Sequence, residues 1–284
     1  MNHRLLSRFW GVVRPADGGG VRRRKTLLLV TLVALLAMAL PGSALAAKPG
    51  PGTCSGGSIG TGTWTSFTVT GTCTIAKGAT VQINGNLVIA KGAVLNDHAA
   101  STAEVDITGN VLVGKGAILG LGYNAPTGKL GPDTVGGSII AINPLTLYLG
   151  NLTVAGNVIS VGGASPMPPA APARNFPIKD NTIIGNLIIV GWQGGWLGVI
   201  RNDVEGNVIV SRNASLSTPP GPPDSGEAGG PVMDPDSTEV QTNTIAGNLV
   251  CFGNSPAAQV NAADGGQPNV VAGKASLECS ALTK

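Results

Sequence analysis

Charged side chains and histidines are scarce in this chain of 284 residues. Only 12% of the residues are Asp, Glu, Lys or Arg, and 4% are aromatic. The two histidines are His3 and His98. Histidine is the usual base of serine and cysteine hydrolases and a common zinc ligand, so its scarcity argues against both classes of protein. We interpret His98 as a solvated residue of a polar turn.

The sequence also lacks a basic region outside its first residues. The full chain has 18 basic and 15 acidic residues, but residues 1–46 contain seven of the basic and one of the acidic ones, which leaves 11 basic and 14 acidic residues. A slightly acidic chain without a basic patch does not predict nucleic-acid binding. No Gly-rich phosphate loop is present either, so we predict no nucleotide and no other cofactor.

Residues 1–46 have the three parts of a secretory signal. Four basic residues at 22–25 are followed by an apolar run of 15 residues at 26–40, and then by the small residues Ala44 and Ala46. The run is shorter than the roughly 20 residues that span a membrane. We predict cleavage near Ala46 and a mature chain that is secreted or held in the cell envelope. It would contact the membrane only through an uncleaved signal segment.

Glycine, in contrast, is abundant and recurs in a repeated motif. Asn preceded by Gly and followed by Leu or Val occurs seven times, with the glycine at Gly85, Gly109, Gly150, Gly156, Gly185, Gly206 and Gly247. Gly and Asn enter left-handed backbone conformations cheaply, so we interpret each pair as a turn and the aliphatic run after it as a strand. Such repetition predicts a β-solenoid in which the asparagines of successive coils stack about 4.8 Å apart as a ladder.

A second repeat consists of Lys-Gly pairs at Lys77, Lys91 and Lys115, which we interpret as outward turns with solvated lysines. An antiparallel β-sandwich also has short strands, but sandwiches do not usually repeat one motif seven times. We therefore predict an all-β fold, a parallel β-helix. Residues 47–72 are predicted to be an N-terminal lead-in and cap, and residues 73–284 the solenoid, with Pro-rich insertions near 162–177 and 217–235.

Four cysteines, Cys54, Cys73, Cys251 and Cys279, all follow the predicted signal segment. Export favours disulfides, and four cysteines allow three connectivities. In a solenoid whose ends are far apart, only Cys54–Cys73 and Cys251–Cys279 bring the Cα atoms within about 7 Å. The alternative is a metal site, but no CxxC pair occurs, so we predict disulfides that fasten the two ends and no metal.

The candidate catalytic residues are Asp203 and Glu205, with Arg201 beside them. Glycan-cleaving enzymes need two carboxylates at a fixed separation, and residues two apart on a strand share a face. Glu104 and Asp106 have the same spacing. Acid pairs of this kind also occur on exposed strands, where they limit association of strand edges, and we favour that structural interpretation.

Trp192 and Trp196 are the candidate ligand-binding residues. They lie in a Gly-rich turn directly after the aliphatic run at 187–190. Indole rings on a loop can stack on sugar rings, which would suit a cell-wall or extracellular polysaccharide. The alternative, which we favour, is that the rings cover the edge of a coil where glycine leaves a gap.

The predicted signal segment, the Asn-Thr-Ile-x-Gly-Asn-Leu copies at 181–187 and 243–249 and the Cys-containing ending at 248–279 together resemble a known group. They are similar to the secreted right-handed parallel β-helix proteins of high-GC Gram-positive bacteria, over about residues 73–280. A more distant similarity links the chain to pectate-lyase-like helices and to bactofilin-type polymer formers. The resemblance to lyases implies calcium-binding Asp clusters and an arginine base, and no such set can be matched in this sequence.

Three functional hypotheses remain. The first, which we expect, is a non-catalytic secreted or envelope-associated β-solenoid that serves as a structural or surface-interaction module, with a glycan as a candidate ligand. The second is a polysaccharide lyase or hydrolase that works through Asp203 and Glu205. The third is polymerisation by end-to-end stacking, which ends fastened by disulfides would oppose.

Overall fold

The computed structural model describes residues 48–96, 103–122, 133–164, 175–215, 238–262 and 265–284. These residues belong to one compact unit, Ala47–Lys284. The predicted signal segment, His98, most of the insertion near 162–177 and all of the insertion near 217–235 lie outside the described residues. The predictions made for them stay predictions.

The described residues form short strands and one turn of 3-10 helix. In chain order these are β1 (Pro51–Ile59), β2 (Gly62–Trp64), β3 (Ser66–Ile75), β4 (Thr80–Ile83), β5 (Leu87–Ile89), β6 (Val94–Asn96), β7 (Glu104–Ile107), β8 (Val111–Val113), β9 (Ile118–Leu121), β10 (Asp133–Val135), β11 (Ile139–Ile142), β12 (Thr146–Gly150), β13 (Leu152–Val154), β14 (Val158–Val161), β15 (Asn175–Lys179), β16 (Thr182–Ile183), β17 (Leu187–Val190), β18 (Gln193–Gly194), β19 (Trp196–Ile200), β20 (Asp203–Val204), β21 (Val208–Ser211), β22 (Ala214–Ser215), β23 (Thr238–Gln241), β24 (Thr244–Ile245), β25 (Leu249–Phe252), β26 (Val270–Val271), β27 (Ala275–Leu277) and the 3-10 helix η1 (Glu278–Ala281).

Successive coils of the chain visit three faces. Face A is the strand order β3-β5-β8-β11-β14-β17-β21-β25-β27, face C is β3-β6-β9-β12-β15-β19-β23, and face B is β2-β4-β7-β10-β13-β16-β20-β24-β26. The long strand β3 belongs to two faces, because Phe67 pairs with β5 and Cys73 pairs with β6. Each of these pairings is parallel, as in β5 with β8 and β4 with β7. The predicted parallel β-helix is confirmed, and the sandwich alternative is wrong because its strands would be antiparallel.

Coiling begins earlier than the predicted boundary at residue 73. Strand β1 already pairs with β3 in parallel, from Pro51 to Ile59. Trp64 and Phe67 make an edge-to-face pair with ring centroids 4.9 Å apart in the same region. The segment predicted as a lead-in and cap is therefore itself part of the β-helix.

The interior is filled by aliphatic side chains that point inward from all three faces. Residues alternate along each strand, so every second side chain enters the core. Ile89, Ile107 and Leu119, one from each face, are all buried. Such stacking buries each aliphatic side chain against its equivalents in the coils on either side, which is the main stabilising contribution in a fold of this type.

Both predicted disulfides are confirmed. Cys54 bonds to Cys73 with the Cα atoms 6.4 Å apart, and Cys251 bonds to Cys279 with the Cα atoms 5.1 Å apart. The first joins the opening coil to the next, and the second ties η1 to β25. Each closes a short loop, of 19 and 28 residues, for which the chain-entropy model gives about 3 kcal/mol of stabilisation.

Six of the seven Gly-Asn pairs form the corner between faces B and A, and the predicted asparagine ladder is confirmed there. Asn186 Oδ1 accepts hydrogen bonds from the backbone N–H and from Nδ2 of Asn207, at 2.8 and 3.0 Å. The same arrangement links Asn207 to Asn248. Ser138 takes the place of asparagine in one coil, where its Oγ accepts from the N–H of Asn157.

The physical reason for glycine at this corner differs from the prediction. The ladder glycines do not have the left-handed backbone that we expected, because Gly109 and its equivalents are absent from the residues with positive φ. Instead, a Cβ atom at Gly109 would lie 2.6 Å from Asn86 Oδ1 and 2.6 Å from the Gly85 carbonyl oxygen. Glycine is required here because the neighbouring coil approaches too closely for a side chain.

Gly150-Asn151 does not belong to this ladder, although we predicted it as one of seven equal copies. Asn151 lies at the corner between faces C and B, where it has a φ of 54°. Asp180, Arg201 and Thr242 take the same left-handed conformation, with φ of 60°, 54° and 58°. The same dipeptide therefore occurs at two different corners of the coil, so the Gly-Asn motif alone does not identify the corner.

The predicted Lys-Gly turns are confirmed as tight outward turns. Gly78, Gly92 and Gly116 have φ of 71°, 71° and 69°, a conformation in which glycine meets no Cβ penalty. Each lysine before them is exposed.

A second, buried asparagine ladder lies at the corner between faces C and B. It consists of Asn181, Asn202, Asn243 and Asn269, which are 0–3% exposed. Asn202 Nδ2 donates to Asn243 Oδ1 at 3.0 Å and to the Ile178 carbonyl at 2.8 Å. These amides satisfy one another and the backbone, which is what a buried polar group needs to be tolerated.

Candidate functional site

The predicted catalytic residues do not form one group. Arg201 lies at a left-handed corner and not on the strand, and its guanidinium pairs with Asp180 of the preceding coil, with Nε to Oδ1 at 2.7 Å and Nη2 to Oδ2 at 2.9 Å. Strand β20 contains only Asp203 and Val204. Asp203 precedes buried Val204 and is exposed on the outside of face B, whereas Glu205 follows the strand and is exposed at the corner between faces B and A.

The second acid pair is engaged in local structure. Glu104 is exposed, whereas Asp106 is half-buried and its Oδ1 accepts a hydrogen bond from the Thr134 hydroxyl of the next coil. A carboxylate that bridges neighbouring coils in this way contributes to the outer surface of face B. It does not point to general acid–base chemistry.

The position of Trp192 agrees with the packing interpretation that we favoured and not with ligand binding. Its side chain is fully buried, its ring centroid lies 5.2 Å from that of Phe176, and its Nε1–H donates to the Leu145 carbonyl at 3.3 Å. A ring enclosed in this way offers no open surface to a sugar. The sequence motif Trp-Gln-Gly-Gly-Trp gives no sign of which ring points inward, because the turn geometry decides it.

Trp196 is also covered, although it stands on the outside of face C. It is 8% exposed, and the Lys179 ammonium lies 4.7 Å from its ring centroid. Its indole lies across Gly198, where any Cβ atom would collide with the ring. Lys179 over one ring face is a cation–π contact that stabilises this packing, and the structure leaves neither tryptophan open for sugar stacking.

The outside of face C is buried in its C-terminal coils. Outward-facing Ile200, Glu239 and Gln241 are 3%, 4% and 6% exposed. Asn261 Nδ2 and Gln241 Nε2 each donate to the Glu239 carboxylate at 3.2 Å, and the Asn261 N–H donates to Gln241 Oε1 at 2.9 Å. This network is internal and offers no surface to a partner.

The outside of face B is polar and exposed. One outward position in successive coils is occupied by Thr63, Gln82, Asp106, Thr134, Thr153, Thr182, Asp203, Thr244 and Val270. We call this column the threonine stripe. Hydroxyls and carboxylates along it suit a sheet with one buried side and one solvated side.

The outside of face A is aliphatic and exposed. The equivalent outward position in seven successive coils is occupied by Val88, Leu112, Ile140, Ile159, Ile188, Ile209 and Val250. We call this column the aliphatic stripe. Leu112 is 37% exposed and the other six are half-buried. No polar side chain interrupts it.

A second outward column of face A widens the apolar surface. Ile142, Val161 and Val190 follow one another in register two residues after the stripe, and the first two are 49% and 43% exposed. Where this column has only Ala90 and Gly114, a shallow groove of about 290 Å³ opens against Leu112 and Ile140. The surface is therefore flat over most of its length, with one depression near its N-terminal end.

The two edges of face A differ in charge. Lys91, Lys115 and Arg212 stand exposed on the edge toward face C. The opposite edge carries the asparagine ladder, with Glu205 exposed beside it. Apolar surface with polar edges is the general anatomy of a protein interface.

The aliphatic stripe was not among the predicted functional residues, although the sequence contains a signal for it. Strands after the Gly-Asn turns read as continuous apolar runs, such as Leu-Ile-Ile-Val at 187–190, whereas the strands of face B alternate, as in Glu-Val-Asp-Ile at 104–107. Continuous runs are typical of parallel sheets that are buried on both sides. Comparing the two patterns would have marked the face A strands as apolar on both sides.

Comparison with known proteins adds no family to this description: no family model, curated protein or solved structure matches the chain. Among the residues that the structure describes, no group of three or more His, Cys, Asp or Glu side chains is placed to hold a metal ion. The described part of the chain also contains no helix with the length and apolar character needed to cross a membrane.

Proposed function

We propose that this protein is a non-catalytic β-helix that works outside the cytoplasm as a structural and surface-interaction module, and that the outside of face A is its contact surface. The observation that carries the proposal is the aliphatic stripe, seven aliphatic side chains in unbroken register on an exposed sheet. Large exposed apolar patches on soluble proteins usually mark interaction sites. The outside of face B is mostly polar, with single exposed aliphatic residues at Ile184 and Val270, and the outside of face C is covered in its C-terminal coils.

The compartment in this proposal is supported by the cysteines and by the N-terminal sequence. All four cysteines are paired in two buried disulfides, which persist in oxidising compartments and are rare in the cytosol. Residues 1–46 carry the pattern of a secretory signal. Secretion or retention at the cell envelope is the location that both features favour.

The enzyme alternative has less support from the geometry. Asp203 stands on an open, flat sheet and Glu205 at the corner beside it, and the groove near Leu112 and Ile140 is on a different face. Glycan-cleaving carboxylates flank a bound sugar and need a cleft to hold it. We expect no polysaccharide turnover, and turnover that the Asp203→Asn/Glu205→Gln double variant abolishes would replace our proposal with an enzyme.

Retention on envelope and extracellular-matrix fractions tests the proposal. Residues 47–284 form a compact unit of their own and can be used with both disulfides intact. The face A variant, Leu112→Lys/Ile188→Lys, places two charges in the aliphatic stripe, and the matched face B variant, Thr153→Lys/Thr182→Lys, adds the same charges to the threonine stripe. We expect retention to fall only for the face A variant. Equal retention of all three proteins would show that face A is not the contact surface.

A further inference from the structure

We infer that the partner of face A is a second copy of this chain, so that the two aliphatic stripes close into a dimer with the build of a β-sandwich. This inference rests on the proposed function, since it names the partner of the same surface. It goes further by fixing the symmetry and the facing residues.

The first support is the two-sided apolar character of the face A strands. In β17, Leu187 and Ile189 point into the core, while Ile188 and Val190 point outward and are half-buried. In β7 of face B, the outward positions are Glu104 and Asp106. A strand that is apolar on both sides has the composition of a sheet packed on both sides, and a second sheet is what face A lacks.

The second support is size. Seven rungs at about 4.8 Å and strands of up to four residues give a surface about 29 Å long and about 13 Å wide, or roughly 400 Å². A standard interface buries about 800 Å² on each partner, with an apolar centre and a polar rim. The two columns therefore supply about half of that area as the apolar centre, and the other half has to come from a rim formed by the asparagine ladder and the lysine edge.

The third support is shape and the lack of charge in the surface. Neither column contains a charged side chain, so the surface cannot select a partner of opposite charge. The surface is flat and its side chains repeat at the spacing of the strands, which suits packing against another flat parallel sheet. Packed sheets lie about 10 Å apart with their side chains interdigitated. A second copy offers a face of the same length, repeat and chemistry, as a two-fold interface requires.

Charge at the edges selects the orientation. A two-fold axis perpendicular to the coil axis would bring the edges of Lys91, Lys115 and Arg212 together, which costs like-charge repulsion. An axis parallel to the coil axis instead places this edge of one copy over the asparagine edge of the other, coil against coil. Arg212 then lies near Glu205 of the partner subunit, because the two residues flank the same strand, β21.

The same axis also matches large side chains with small ones. Each residue of the aliphatic stripe faces the second column of the partner in the same coil. Leu112, the most exposed residue of the stripe, then enters the groove at Gly114 of the partner subunit. In the neighbouring coils, Ile140 meets Ile142 and Ile188 meets Val190.

Sedimentation of residues 47–284 at micromolar concentration tests the inference. We expect a dimer for the wild type and for the face B variant Thr153→Lys/Thr182→Lys, and a monomer for the face A variant Leu112→Lys/Ile188→Lys. Burying four ammonium groups per dimer should weaken association by at least about 100-fold. A monomeric wild type, or a face A variant that dimerises normally, would overturn the inference. Circular dichroism checks folding, and the milder Ile159→Ser should weaken dimerisation if the lysine variant fails to fold.

Charge reversal tests the orientation. Arg212→Glu and Glu205→Arg should each weaken the dimer several-fold, and the double variant Arg212→Glu/Glu205→Arg should restore it at low salt. Absence of restoration would reject the parallel axis. The outcomes also separate this inference from the proposed function. If the wild type is a monomer that binds envelope fractions through face A, the dimer is rejected and the proposed function stands. If the wild type is a dimer and the face A variant still binds envelope fractions, the dimer stands and face A is not the surface that contacts the envelope.

Discussion

Faces A and B are built by the same coils and differ only on the outside. Ile189 on face A and Ile183 on face B belong to consecutive strands of the same coil, and both are fully buried in the same core. Their outward neighbours are Ile188 in the aliphatic stripe and Thr182 in the threonine stripe. The inward residues are enough to hold the coil together on both faces. The outward isoleucines are what distinguishes face A from face B, and the proposed contact surface is our account of them.

The energetic difference between the two outsides is large. Fully burying a valine, leucine or isoleucine side chain is worth about 1.5–3 kcal/mol, whereas a threonine on a solvated sheet gives up its contact with water when it is covered. Six of the seven residues of the aliphatic stripe are already half-buried, so a partner gains only part of that amount from each of them. Even a fraction of this burial free energy from each residue, summed over the aliphatic stripe, exceeds the free energy gained by covering the threonine stripe.

The largest expected effects lie in the core and should be equal on the two faces. Ile189→Ala and Ile183→Ala should each lower the free energy of unfolding by about 2–5 kcal/mol, because both leave a cavity in a fully buried site. Urea unfolding of the oxidised protein, followed by circular dichroism, measures the change. Outward Ile188→Ala is the matched control and should cost less than about 1 kcal/mol in dilute solution, where the monomer is populated. A large cost for Ile188→Ala in the monomer would mean that the stripe is part of the single-chain core.

The two asparagine ladders on either side of β20 should differ sharply. Asn202→Ala removes the Asn202 oxygen that accepts from the N–H and Nδ2 of Asn181, at 3.1 and 2.8 Å, and leaves these buried donors unsatisfied. We expect a loss of about 2–4 kcal/mol. Asn207→Ala at the other corner should cost less than about 1 kcal/mol, since Asn207 is partly exposed and water can replace its partner. Equal midpoints of urea unfolding for the two variants would contradict the role of burial.

The coil, its corners and its disulfides could be predicted from the sequence because each depends on local chemistry. Lys91-Gly92 predicts a tight outward turn, and the spacing of Cys251 and Cys279 fits adjacent coils. The register of the ladder could not be predicted fully. Gly150-Asn151 has the composition of a ladder pair but stands at another corner, because Ser138 and Asn157 already occupy the ladder position in the two successive coils.

The candidate site was harder to predict, since a functional surface here depends on which side of a strand is covered. Asp203 and Glu205 have a spacing typical of catalytic acids, and Trp192 has a composition typical of a sugar-binding turn. Burial decides against Trp192, and an open flat sheet gives the acids no cleft. The run at 187–190 shows that both sides of a strand are apolar but not that one of them is exposed, which only the three-dimensional arrangement of the faces reveals.

Converting face B to the chemistry of face A is expected to create a second association surface. Thr153→Val/Thr182→Val/Thr244→Val replaces three exposed hydroxyls with methyl groups of nearly the same shape, so the strands should be undisturbed. We expect species larger than the dimer in sedimentation, at higher concentration than the dimer needs, because Asp203 still interrupts the column. The matched control is the same triple substitution to serine. An unchanged sedimentation profile for the valine variant would show that exposed aliphatic groups alone do not drive association of this fold.

The smallest expected effect concerns the edge of face B, where Arg201 and Asp180 form an ion pair. The two side chains are 46% and 36% exposed, and such pairs contribute about 0–1 kcal/mol that salt screens. Arg201 also has a φ of 54°, a conformation that costs a non-glycine residue about 1 kcal/mol. Arg201→Ala loses the ion pair and keeps the backbone cost, so we expect a loss of up to about 1 kcal/mol. Arg201→Gly also loses the pair but removes the backbone cost, so its midpoint of urea unfolding should match or exceed that of the wild type. If Arg201→Ala and Arg201→Gly lower the free energy of unfolding equally, and high salt does not reduce that loss, then Arg201 stabilises the edge of face B by packing. The ion pair would then contribute nothing to stability.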